Sequence, residues 1–277
     1  MSRLGPHDGE WRHPLIRTLD RPLSRRLLAI GVAGLALGSR RPELRLVSAG
    51  TPVATPGSRI SGDAEAVALL EEAAAAMAAL ETFAFELETT RGASTILQGF
   101  ELRGISGVVR RPADIQAVLT VGVPFGELEI TAIGLDGNYW VEDPLAADGA
   151  WIELGRDLQL QSLINPDALI LAAVRLVQNA RIAGTEKVDG VATTVVEGTV
   201  DVAGTVGAFA GDSSEAAQLI ADGAREIVLW IDDRRRIVEV EIVGPLLTTE
   251  SDDVVRVVRF FEFDEPVEIE APPTPAP

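Results

Sequence analysis

Two histidines, His7 and His13, no cysteine and a single lysine, Lys187, leave this 277-residue chain without a thiolate and almost without imidazole bases or soft metal ligands. A Ser-His-Asp triad, a Cys nucleophile or an ordinary zinc site each needs an imidazole or a thiolate. Both histidines lie near the N-terminus, ahead of anything that reads as a folded domain. Carboxylate chemistry stays open: Glu127 with Glu129, and Glu239 with Glu241, are i,i+2 pairs that a strand places on one face, as a glycosidase-type acid and base would require. With 42 Asp and Glu in the chain such pairs arise by chance, and catalysis by them is not expected. Asp136-Gly137-Asn138 and Asp189-Gly190 begin like calcium loops but lack the later ligands, so they read as turns. Asp232-Asp233 with Arg234, Arg235 and Arg236 offers charge for a head group, yet a charged hairpin tip is ordinarily a solvated turn. Thr51 would become an N-terminal threonine after cleavage at Gly50, but it sits in a Pro-rich stretch with no oxyanion donors in view. The expectation is a protein that is not an enzyme and that uses no metal and no cofactor.

The charge balance points the same way. Against the 42 acids stand 24 Lys and Arg, for a net charge of −18, which argues against nucleic acid or an anionic bilayer face as a partner. Nine of the arginines fall in residues 1–50. There Arg17, Arg21, Arg25 and Arg26 precede the apolar run Leu27–Gly38, which is too short to span a bilayer and has the length of a signal h-region. Ser24-Arg25-Arg26-Leu27-Leu28 resembles a twin-arginine signal, and Val47-Ser48-Ala49 offers small residues for cleavage. Residues 1–50 are therefore expected to be an export leader, cleaved or left in place as an interfacial helix. Residues 51–62, rich in Pro, Gly, Ser and Thr, are expected to form a flexible tether. Residues 63–272 form the domain and 273–277 a Pro-rich tail. A hydrophobic content of 47% over this length suits one domain with a full core, expected as a monomer.

Within the domain, Asp63–Leu80 is Ala-, Leu- and Glu-rich, with Asp63 as N-cap and Val67, Leu70, Ala74, Met77 and Leu80 on one stripe, which predicts an opening helix. From Thr82 the period becomes two. Phe83, Phe85 and Leu87 alternate with Ala84, Glu86 and Glu88, and Leu128, Ile130 and Ala132 alternate with Glu127, Glu129 and Thr131, so these strands have one wet face. Further strands are predicted at residues 100–109, 114–121, 138–142, 180–186, 192–200, 226–231, 237–243 and 252–263, with a turn at Asp232–Arg235. Helices are predicted at residues 158–163, 166–178 and 213–223. The layout is α+β: an antiparallel sheet of about eight to eleven strands with one helix before it and others inserted midway.

The segment 166–178 is apolar nearly all round, through Leu169, Ile170, Leu171, Ala172, Ala173, Val174, Leu176 and Val177. Such a helix is buried on every side or faces an apolar ligand. Leu158, Leu160, Leu163 and Ile164 extend the surplus, as do Val206, Phe209, Leu219 and Ile220. Two readings stay open on the residues alone, a thick ordinary core and a cavity between sheet and helices.

The order of elements resembles the LppX/LprAFG lipoproteins, fold relatives of the lipoprotein carriers LolA and LolB. The likeness rests on the helix Ala66–Leu80 followed by Phe83-Ala-Phe-Glu, then Gly107-Val-Val-Arg-Arg-Pro112, Val188-Asp-Gly-Val191, Leu229-Trp-Ile-Asp232 and Phe263-Asp-Glu-Pro-Val-Glu-Ile269. It implies a half-open antiparallel β-barrel whose concave face is covered by helices, with an apolar cavity for acylated lipid or lipoglycan. The candidate lining residues are Phe83, Phe85, Leu87, Leu128, Ile130, Leu163, Leu169, Leu171, Ala172, Val174, Phe209, Leu219 and Leu229. Binding and carriage of such a lipid in the cell envelope is expected, with a membrane or envelope transport partner. The alternative is an envelope sensor or scaffold that binds a protein through the same half-barrel. One departure stands out: the family carries a lipidated Cys, and in Leu46-Val-Ser-Ala-Gly-Thr51 the place of that Cys is taken by Thr51. Release into the envelope space, or retention by an uncleaved leader, is expected in place of an acyl anchor.

Overall fold

The two-residue alternation that starts after Leu80 folds into one antiparallel sheet that brings its apolar positions to a common face. The computed structural model describes residues 60–96, 100–124, 126–144, 146, 149–155, 171, 173–204 and 221–272, all in the unit spanning Ala54–Pro277. The first element is α1 (Ala64–Ala79), followed by strands β1 (Thr82–Arg91), β2 (Ser94–Ile96), β3 (Phe100–Arg110), β4 (Asp114–Val123), β5 (Gly126–Leu135) and β6 (Asn138–Glu142). The chain continues through β7 (Trp151–Gly155), β8 (Gln178–Val188), β9 (Val191–Asp201), β10 (Ala224–Asp232), β11 (Ile237–Val243) and β12 (Val255–Phe261). Eleven of the strands lie in the order β7-β6-β5-β4-β3-β1-β12-β11-β10-β9-β8, and the short β2 pairs with β3. Strands β7 and β8 are the two ends of this path, so the sheet is open. The leader, the tether before Ile60, the tail, Leu163, Leu169 and Ala172, and Phe209 and Leu219 all lie outside the described residues.

Tight turns set the registers. Leu135 pairs with Asn138 and Val188 with Val191, leaving Asp136-Gly137 and Asp189-Gly190 as two-residue loops. All four residues have positive φ, between 47° and 82°, the backbone that Asp-Gly hairpins supply. Both sites are turns, as their sequence implies. The hairpin β10–β11 is held by Asp232, which is buried at the tip. Its Oδ1 accepts the N–H groups of Arg234 (2.9 Å) and Arg236 (2.7 Å), and its Oδ2 accepts Arg236 Nε at 2.8 Å.

Several boundaries depart from the sequence expectation. The helix expected over 166–178 ends earlier, since residues 173–175 are helical, Leu176 is in a turn and Gln178 opens β8. The left-handed backbone at Asn179 (φ 54°) follows directly, and the sheet's hydrogen bonding wins the segment. The helix expected over 213–223 does not reach its end, because residues 221–223 are non-helical and Ala224 starts β10. The last strand is shorter than 252–263, because Asp252 and Asp253 belong to a turn. Strands β2 and β7 were not expected at all.

Helix α1 is tied to the sheet at both ends. Asp63 occupies the N-cap position, but its side chain makes no capping bond. Its backbone N–H donates to the Ala180 carbonyl of β8 at 2.8 Å. At the other end Arg111, in the β3–β4 turn, donates from Nη1 to the carbonyls of Met77 (2.5 Å) and Leu80 (2.8 Å), satisfying acceptors that a helix terminus otherwise leaves open. The buried stripe of α1 is Ala66, Leu69, Leu70, Ala73, Ala74 and Met77, wider than the expected one. Val67 is only partly buried, and Ala66, Leu69 and Ala73 join the buried face beside the Leu70–Ala74–Met77 line.

Candidate functional site

The registers place one apolar row across nine strands. Ile130 of β5 faces Leu119 of β4, then Ile105 of β3, Leu87 of β1, Val258 of β12, Val240 of β11, Leu229 of β10, Val196 of β9 and Ile182 of β8, each opposite the next. Residues two positions along each strand share this face, so parallel rows carry Phe83 and Phe85 to one side. The inner face is thus written by alternation in strands far apart in sequence.

Burial along this face is graded. Phe83, Phe85, Leu229 and Val174 have no exposed surface and belong to the core packed with α1. Phe83 meets Phe260 edge-on at 5.8 Å, and the Arg111 guanidinium lies 5.5 Å from the Phe83 ring centroid. Gly107, opposite Phe85, has no room for more: an added Cβ would come within 2.4 Å of the Gln116 carbonyl oxygen. Elsewhere the cover is partial, at Ile182 of β8 and Ile242 of β11 as well as on β4, β5 and β6. Leu87, Leu119, Leu128, Ile130 and Val141 pack against the core yet remain partly exposed, and so does Leu171. Of the candidate lining residues, the structure therefore brings Phe83, Phe85, Val174 and Leu229 into the packed core and Leu87, Leu128, Ile130 and Leu171 to its partly open margin.

One polar cluster lies at the far end of the same face, and the sequence reading missed it. Arg256 sits opposite both Thr89 of β1 and Ile242 of β11, two residues beyond Val258, and is only 5% exposed. It forms an ion pair with Glu250, whose side chain is 2% exposed. Glu250 Oε1 also accepts the Ser94 hydroxyl at 2.7 Å, and its Oε2 accepts the backbone N–H groups of Leu246 (2.7 Å) and Leu247 (3.0 Å). A signal for this was available: Arg256 and Arg259 are three apart in one strand, so one of them must fall on the apolar face.

The outer face is polar and acidic. Arg259 pairs with Glu239 at 2.9 Å, Arg181 with Glu197, and Trp230 Nε1 donates to Glu186 at 3.0 Å. Glu239 and Glu241, the i,i+2 pair, do share a face, but an ion pair with Arg259 occupies the first. Burial pushes both carboxyls above the ordinary glutamate range, for Glu239 against the lowering effect of Arg259 and for Glu241 with added repulsion from Glu239. A carboxyl raised in the folded state binds protons there that the unfolded chain has already lost, so stability falls as pH climbs from the ordinary glutamate value through the raised one. Glu241→Gln is accordingly expected to raise the melting temperature at pH 7, with the gain shrinking to nothing as pH drops below 4.5. Thermal unfolding at a series of pH values checks this; a gain that persists at low pH contradicts it. Two arginines of the β10–β11 tip are structural: Arg235 pairs with Glu72 of α1 at 2.8 Å, and Arg236 lies 4.4 Å from the Phe263 ring centroid.

Comparison with known proteins agrees with this geometry. No curated protein matches the sequence. Among solved structures, LprF from Mycobacterium bovis is similar at 20% identity and a TM-score of 0.55, over 78% of this chain and 100% of that one. Lipoprotein LppX from Mycobacterium tuberculosis is similar at 20% identity and a TM-score of 0.53, over 76% of this chain and 100% of that one. A LolA superfamily protein from Nitrosomonas europaea aligns at 13% identity and a TM-score of 0.27, over 75% and 94% of the two chains. The first two show the fold. The family model described as LppX_LprAFG lipoprotein matches residues 63–269, three quarters of the chain and every described strand. The chain belongs to the LppX_LprAFG lipoprotein family.

Proposed function

We propose that this protein binds an acylated lipid or lipoglycan against the inner face of its sheet and carries or presents it in the cell envelope, as an exported protein without catalytic activity. The observation that carries this is the graded burial of the inner face. A soluble domain ordinarily covers its apolar sheet face, and Leu87, Leu119, Leu128, Ile130 and Val141, left partly exposed on β1, β4, β5 and β6, offer a surface that an alkyl chain would complete. Family membership supports the same reading, as does the likeness in fold to LprF and lipoprotein LppX. Each buried methylene contributes about 0.8 kcal/mol, so shape and hydrophobicity alone can select the ligand. The absence of His and Cys from residues 63–269 removes the commonest catalytic groups and favours a binding role. With Thr51 where the family's lipidated Cys would stand, retention at the membrane by the leader, or release, takes the place of acyl anchoring.

Organic extraction and native mass spectrometry of the full-length protein purified from its own host test this reading. A stoichiometric acyl lipid is the expected result. Protein that emerges lipid-free, and stays so after incubation with host lipid extract, overturns it in favour of a protein-binding scaffold.

A further inference from the structure

The row beyond Leu87 and Val258 holds two donor atoms that the hydrogen bonds of the fold do not use. Thr89 and Arg256 stand directly opposite each other on antiparallel strands, on the inner face, with Ile242 next to Arg256 on the other side. Arg256 Nη1 and Thr89 Oγ1 are both enclosed, and neither has a hydrogen-bond partner among the described residues. Native proteins pair nearly all such buried groups, and an exception calls for a cause. Neutralising Glu250 is not that cause. Its carboxylate is already served by Arg256 Nη2, the Ser94 hydroxyl and two backbone N–H groups, so Nη1 is surplus to the ion pair.

The chemistry that fits is narrow. The guanidinium charge is balanced by Glu250 at contact distance, so a second anion would meet a neutral pair inside an apolar surrounding and would have to shed its water for little return. A neutral oxygen acceptor suits two donors side by side on one face, because a carbonyl oxygen carries two lone pairs. The neighbouring apolar row lies about 7 Å away along the strands, the distance of two residues. Resting on the lipid-binding reading above, we propose that Arg256 Nη1 and Thr89 Oγ1 together hold the ester or amide carbonyl at the head of an acyl chain that lies along the Leu87–Val258 row. The pair is a positioning device within the apolar face: it fixes where the chain's polar end stops and distinguishes acyl esters from alkyl ethers.

The test compares two uncharged probes of equal chain length, 1-decanoylglycerol, which has the ester carbonyl, and 1-O-decylglycerol, which lacks it, with decyl phosphate as the anionic probe. Calorimetric titration of the full-length protein is expected to show the ester bound about tenfold more tightly than the ether, the ratio a charge-assisted hydrogen bond supplies. Thr89→Val removes a hydroxyl of nearly the same shape, and Arg256→Lys keeps a cation for Glu250 while removing the second donor. Each is expected to bring the ratio close to one by weakening the ester alone. Melting of ligand-free Thr89→Val at or above the wild-type temperature shows that the fold is intact. Equal binding of ester and ether by wild type overturns the donor pair and leaves lipid binding standing. So does a Thr89→Val variant that weakens both probes alike. Decyl phosphate bound more tightly than the ester overturns the neutral acceptor, and binding of none of the three overturns the lipid reading and the pair with it.

Discussion

Glu250→Leu is expected to lower the free energy of unfolding by about 3–5 kcal/mol, because it leaves the Arg256 guanidinium buried without its counter-ion. The cost has two separable parts. One is the stranded charge, 5% exposed on the inner face. The other is the loss of an acceptor for the Leu246 and Leu247 N–H groups and the Ser94 hydroxyl, which fix the turn between β11 and β12 against β2. Adding Arg256→Met to Glu250→Leu removes the charge and not the second loss, so the double variant is expected to regain part of the stability and remain about 1–3 kcal/mol below wild type. Denaturant unfolding with an unchanged m-value measures both. A single variant that costs under 1 kcal/mol, or a double variant no better than the single, contradicts the account.

Arg256 also marks where sequence reasoning stops. Alternation made β1, β5 and most other strands legible, because each has one wet face and turn residues at its ends, and the opening helix was legible from its apolar stripe. The same alternation sends Arg256 to the inner face together with Val258 and Phe260, but its partner comes from a turn outside any strand, and no period announces Glu250. Strand β7 was missed for a different reason. It is five residues long at the edge of the sheet, with Ile152 51% exposed, so no hydrophobic pattern marks it. Strand β2 spans three residues and exists because β3 outruns β1, leaving Phe100–Leu102 to pair with Ser94–Ile96. The helix ends at residues 178 and 223 failed where a helical composition runs directly into a strand. There the sheet's ladder, supplied by residues distant in sequence, outweighs local propensity.

The candidate site was legible as a surplus of apolar residues but not as a surface. Phe83 and Leu87 look equivalent in the sequence, each an inward position of β1, yet the first is fully buried in the core cluster that includes α1 and the second is only partly buried. Where α1 lies depends on contacts at its two ends, the Asp63 N–H on β8 and the Arg111 side chain on the helix carbonyls, which involve strands more than thirty residues away from each helix end.

That distinction supplies the second large effect. Ile130→Asp is expected to reduce acyl-lipid affinity about a hundredfold, equivalent to roughly 2.7 kcal/mol, while changing stability far less. The asymmetry follows from partial exposure. In the ligand-free protein a carboxylate at position 130 keeps part of its water, because Ile130 lies at the open margin of the inner face beside Leu119. An alkyl chain lying on that margin would strip the water away without offering a hydrogen bond, so the penalty appears mainly on binding. Thr131→Asp is the matched control: it sits on the same strand, one residue on, with the same added charge, but alternation turns it to the outer face beside Glu129. Ile130→Asp is expected to come from the host free of lipid and Thr131→Asp loaded, with melting temperatures within a few degrees of wild type for both. Equal lipid content in the two variants would show that the partly covered margin is not where the chain lies, since the two carboxylates differ only in the face of the sheet they occupy.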